Sequence, residues 1–149
     1  MPNQSQDHET TAIDRVKRVY VALAARPVER SCIRRRDCCH FKLTGRTPFL
    51  TKGEAIVAAR ALRRTGRTKL PELVNGACPL LHPATGDCMI YDDRPFGCRT
   101  HFCAAAGGPY QRREVIDLIR QLEHVDAQLG GDGPHEITQA IKVTLEELE

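Results

Sequence analysis

Seven cysteines carry the reactive chemistry of this chain: Cys32, Cys38 and Cys39 in its first half, and Cys78, Cys88, Cys98 and Cys103 in its second. Cysteine thiolates bind zinc tetrahedrally, at about 2.3 Å, and the same thiolates hold iron–sulfur clusters, so ligand type alone does not choose the metal. Thiols are also used in disulfides and in redox exchange. A chain of 149 residues buries roughly 68–70% of its unfolded surface, so cross-links are not needed merely to fold it. The polar stretch Met1 to Thr11, with Asp7 and Glu9 and no apolar core behind it, does not read as a secretory signal. No apolar run approaches the roughly 20 residues of a membrane span. A cytoplasmic, reducing location without membrane association is therefore expected, and there cysteines serve as metal ligands or reactive thiols before disulfides.

The placement of the thiols favours ligation. They fall into two clusters, and none lies in residues 109–149, where two helices are expected. A metal site needs thiols that converge from loops. The spacing shows neither the C-x2-C knuckles of a zinc ribbon nor the C-x2-C-x2-C-x3-C-P run of a ferredoxin. Adjacent Cys38 and Cys39 diverge on extended backbone, so they either serve separately or bridge two ions.

Other functions have weaker support. A dithiol pair, Cys38 with Cys39 or Cys98 with Cys103, would be activated by neighbouring arginines, but the C-x-x-C of thioredoxin-type proteins is missing. The net charge of +3 hides an asymmetry: residues 1–75 hold 16 Lys/Arg against 7 Asp/Glu, and residues 76–149 hold 6 against 12. The halves can attract each other. The basic stretches Arg26 to Arg36 and Arg60 to Lys69 lack interleaved aromatics and any helix-turn-helix or RNA-recognition pattern, so nucleic-acid binding is not expected. Arg60, Arg63, Arg64 and Arg67 would present a basic helix face to an acidic partner, whose identity the sequence leaves unknown. The two serines, Ser5 and Ser31, stand in no nucleophile motif, and no catalytic motif was found.

The elements that must position the cysteines are mostly helical. Ile13, Val16, Val19, Tyr20 and Leu23 form an apolar stripe behind Thr10 and Thr11, stopped at Pro27. Thr51-Lys-Gly-Glu54 is a capping box that opens a helix running to Gly66, with Ala55, Ile56, Ala59 and Leu62 on its apolar face. Val115, Leu118, Ile119, Leu122, Val125 and Leu129 form the strongest stripe, opened by Pro109 and closed by Gly130-Gly131. His135 to Leu148 repeats the device, and the short turn between these two helices predicts an antiparallel pair. Between them, Cys78 to His82 and Cys88 to Tyr91 flank a turn and read as a short hairpin, with Pro79 outside its ladder. The expected fold is mainly α with a short β-hairpin, a small helical domain whose loops are stapled by a Cys-ligated metal site. Residues 1–11 are expected to be a mobile N-terminus and 12–149 a single domain, with the motif region at 28–105 and the helical pair at 109–149.

Cys32-Ile-Arg-Arg35-Arg-Asp-Cys38-Cys39 resembles the C-x2-C-x2-C-C element of the YkgJ-type cysteine-cluster family of zinc- or iron-chelating domains. Phe49-Leu-Thr-Lys-Gly-Glu54 resembles that family's hydrophobic-Leu-Thr-x-x-Glu helix start. Cys78-Pro-Leu-Leu, Cys88-Met-Ile-Tyr91 and Arg94-Pro-Phe-Gly-Cys98-Arg99 with Cys103 are similar to its C-P-x-L, C-x-I-Y and R-P-x-x-C-R-x-x-x-C elements. The resemblance implies a zinc or iron site built by Cys32, Cys38, Cys39, Cys78, Cys88, Cys98 and Cys103, seven of the family's eight cysteines, with an iron–sulfur cluster as the alternative. Arg35 occupies the position of the eighth. A cation there cannot ligate; it can neutralise a thiolate cluster, while His40, His82 or His101 are the candidates to replace the missing thiol. Arg94, Arg99 and Tyr91 are candidates to support the ligands from behind, and Asp92-Asp93 to order the Arg94 loop.

Overall fold

In the computed structural model, residues 4–25, 48–70, 78–82, 84–85, 87–100 and 112–148 are described. Among the described residues five α-helices dominate: α1 (Gln4–Ala24), α2 (Lys52–Arg64), α3 (Phe96–Thr100), α4 (Arg112–Gln128) and α5 (Ile137–Glu147). Two-residue strands β1 (Phe49–Leu50) and β2 (His135–Glu136) pair antiparallel, Phe49 opposite Glu136 and Leu50 opposite His135. The mainly helical class expected from the stripes is the class observed.

Helix α2 is the centre of the molecule because most of its surface is buried, with Arg60, Arg63 and Arg64 left exposed. Gly53 to Ala59, Ala61 and Leu62 are all buried. One side, with Ala55, Ala58, Ala59 and Leu62, packs with Leu80, Leu81 and Ile90 of the cysteine segment and with Ile137, Ile141 and Leu145 of α5. Ile56 and Val57 on the other side meet Val16, Val19, Tyr20 and Leu23 of α1, Leu118, Leu122 and Val125 of α4, and Phe96. Small side chains permit that approach. A methyl group added at Gly53 would stand 2.7 Å from a Val16 methyl and 3.0 Å from a Val125 methyl. Gly53→Ala is therefore expected to destabilise the protein by about 1–3 kcal/mol, an overpacking cost that denaturant titration would register as a lower midpoint.

Three expectations need correction. Helices α4 and α5 are not packed as a pair: α4 lies chiefly against α1 and α5 against α2, because α2 needs cover on both sides and separates them into different apolar clusters. Helix α1 starts at Gln4, well before the Thr10-Thr11 start that the apolar stripe suggested; Arg60 Nη2 donates to Glu9 across to α2 at 2.9 Å. The last helix starts at Ile137 rather than His135, since His135-Glu136 is drawn into β2 and the Glu136 carboxylate caps α5 through the amides of Thr138 and Gln139.

The turn between α4 and β2 is fixed by Asp126. Its buried carboxylate accepts from the Lys52 amide at 2.7 Å and from the Gly133 amide at 3.0 Å, so one side chain caps α2 and closes the turn. Gly130 ends α4 at φ 75, a left-handed conformation that favours glycine.

Candidate metal centre

The cysteine segment leans on the face of α2 opposite α1. Cys78 is buried in the same cluster as Leu62 and Ile141, and its carbonyl accepts from the Leu81 amide at 3.1 Å, closing a turn over Pro79 and Leu80. Cys88 is half-buried and faces Leu81 in a single antiparallel bridge. The His82 amide donates to the Asp87 carbonyl at 2.7 Å and the Met89 amide to the Leu80 carbonyl at 2.8 Å. The expected hairpin is thus one bridge long, with Pro79 outside the pairing as anticipated. A one-residue ladder suffices because Leu80, Leu81 and Ile90 are fixed by burial rather than by strand bonds.

Cys98 is set differently. A turn of 3-10 helix at Tyr91–Asp93 leads into Arg94 and buried Pro95, and α3 then carries Cys98 in its first turn, its amide donating to the Pro95 carbonyl at 3.0 Å. This segment is pinned to α2 by Glu54. One carboxylate oxygen of this buried residue accepts from the Phe96 amide at 2.7 Å, and the other from the Thr51 amide and hydroxyl, each at 2.9 Å. The glutamate of the capping box is therefore also the anchor of the Cys98 segment. Burial pushes its pKa up, against the pull of the donors from Thr51 and Phe96. Tyr20, buried nearby on α1, has its phenol pushed well above its ordinary range by burial and then by the Glu54 charge.

Arg94 and Arg99 brace backbone. Arg94 Nε donates to the Tyr91 carbonyl at 2.9 Å, and its guanidinium lies 4.0 Å from the Tyr91 ring centre. Arg99 Nε and Nη2 donate to the carbonyls of Arg94 and Asp92, both at 2.6 Å, and its guanidinium lies 4.1 Å from the centre of the Tyr20 ring. These bonds hold the backbone of the loop that presents Cys98. Asp93 accepts from Arg64 at 2.9 Å, and Arg63 donates to the Leu148 carbonyl at 3.2 Å. With Arg60 bound to Glu9, three arginines of the basic face suggested for an acidic partner are thus engaged within the chain.

His82 is a turn clasp. Its Nδ1 accepts from the amides of Ala84 and Thr85 at 3.1 and 3.3 Å, which places the ring proton on Nε2 and leaves neither nitrogen open to a metal in that tautomer. Cys32, Cys38, Cys39 and Cys103, with Arg35, His40 and His101, lie outside the described residues. Among the described residues no three His, Cys, Asp or Glu side chains are grouped to hold an ion. Those present fit the chemistry of a thiolate site: Cys78, Cys88 and Cys98 all sit on braced turns, and Cys98 has a guanidinium on the adjacent residue to offset negative charge. A cleft of about 390 Å³ lined by Leu50, Lys52, Ala140, Val143 and Glu147, among others, contains no cysteine.

Residues 30–123 match the family described as CxxCxxCC, "putative zinc- or iron-chelating domain". The chain belongs to this cysteine-cluster family. The match covers more than half of the chain and extends past the cysteines into α4. No curated protein and no solved structure matches the chain. In this chain the Leu50-Thr51-Lys-Gly-Glu54 start and the Arg94-Pro-Phe-Gly-Cys98-Arg99 segment are two ends of one hydrogen-bonded contact, from the Phe96 amide to Glu54. Sequence reasoning placed Glu54 only as a cap and Tyr20 only as core. The signal that could have found the contact was the joint presence of both motifs. Among the described residues no helix is long and apolar enough to cross a membrane.

Proposed function

We propose that this chain is a metal-binding protein in which Cys32, Cys38, Cys39, Cys78, Cys88, Cys98 and Cys103 ligate zinc or iron, within a single domain over residues 12–149 kept in a reducing cytoplasm. Family membership carries this reading. It is supported by the placement of Cys78, Cys88 and Cys98 on turns that the helical core fixes. Because these three described thiols do not group by themselves, the site draws on the cysteines of the first half, on Cys103, or on both. When bound, the ion joins segments distant in sequence and is structural or held for a partner protein. A zinc site closed by four thiolates has no open position for catalysis.

Protein purified without oxygen and without added metal is expected to contain at least one zinc or iron per chain, measured together with acid-labile sulfide and the visible spectrum. A colourless zinc protein gives the structural form. Sulfide with absorbance near 400 nm gives the iron–sulfur form. A folded, metal-free protein would overturn the proposal.

A further inference from the structure

Cys98 and Arg99 are neighbours on α3, yet the Arg99 side chain turns back over the loop that precedes them. Its planar fork holds the carbonyls of Asp92 and Arg94, both at 2.6 Å, and its flat face lies 4.1 Å from the centre of the buried Tyr20 ring. The loop from 92 to 99 is thereby closed on itself and fastened to α1, while the Phe96 amide, bound at 2.7 Å to Glu54, fastens it to α2. Two carbonyls held at once require the bidentate geometry of arginine, which a lysine ammonium does not reproduce. A ligand carried on a backbone set in advance loses less freedom on binding an ion than one on a loose loop.

We propose that Arg99, seated on Tyr20, is a positioning residue for Cys98, so that metal affinity depends on helix α1 although α1 contributes no cysteine. This rests on the metal-binding reading above. The test titrates cobalt(II), and zinc in competition with a chelator, into the full reduced chain. Arg99→Ala is expected to weaken affinity by at least about tenfold, the range seen when groups behind metal ligands are removed, and to shift the visible cobalt bands, with far-UV helicity of the metal-free protein unchanged. Arg99→Lys should fall between. Tyr20→Phe keeps the ring and should stay within about twofold of wild type, whereas Tyr20→Leu should resemble Arg99→Ala. If Arg99→Ala does not fold, Arg99→Lys and the two Tyr20 variants decide. Wild-type affinity and cobalt bands in Arg99→Ala or Tyr20→Leu would overturn the positioning role alone. A wild-type chain that binds neither ion would overturn the metal-binding reading along with it.

Discussion

Glu54→Ala is expected to lower the stability of the protein by about 2–4 kcal/mol, because it strips the Thr51 and Phe96 amides of their shared buried acceptor and each orphaned buried donor costs about 1–3 kcal/mol. In a domain of this size that corresponds to a melting temperature lower by roughly 10 °C. Calorimetry of both proteins would measure it, and equal melting temperatures would show that the contact contributes nothing. Burial raises the pKa of Glu54 from the ordinary value of 4.5, which fixes the sign of its pH dependence. The folded state favours the protonated acid, so its contribution is fullest below the unfolded value and is lost as pH rises through the raised folded value. Glu54→Gln removes that dependence. The melting temperature of Glu54→Gln relative to wild type should therefore rise as pH is raised above the ordinary value of 4.5, and a flat difference would contradict the direction assigned to Glu54.

Removing the metal should have the largest effect. Closure of a structural zinc site is worth on the order of 10 kcal/mol in small domains that are unfolded without it. This chain has two apolar clusters of its own around α2, so the expectation is partial: a strong chelator should lower the melting temperature by about 10 °C or more while far-UV helicity at room temperature persists. Re-addition of zinc or iron should restore the transition. A melting curve indifferent to chelation would mean that the ion does not staple the loops.

The four long helices were legible because each is encoded locally, whereas the short α3 (Phe96–Thr100) carries no apolar period that would reveal it. Thr51-Lys-Gly-Glu54 opens α2 where the capping box placed it, and Gly130 closes α4 where the glycine pair predicted. What the sequence concealed is non-local. The short turn after α4 suggested pairing with α5, but the run Gly53 to Ala59, nearly all small or apolar, was the overlooked sign that α2 is covered on both faces. Asp126 reads as a polar break in an apolar stripe, and only the fold brings it to the Lys52 amide. The candidate site divides in the same way. The turns around Cys78, Cys88 and Cys98 follow from prolines and local patterning, whereas the support of Cys98 by Tyr20, Glu54 and Arg99 comes from three separate parts of the chain. The first-half cysteines and Cys103 fall outside the described residues, so their part in the site stands on the family pattern.

Every role proposed for the cysteines requires that thiolates of this chain hold the ion. X-ray absorption at the metal edge of the protein as purified measures it directly. A coordination sphere dominated by sulfur at about 2.3 Å is expected. A sphere made only of nitrogen and oxygen at about 2.0–2.2 Å would contradict it.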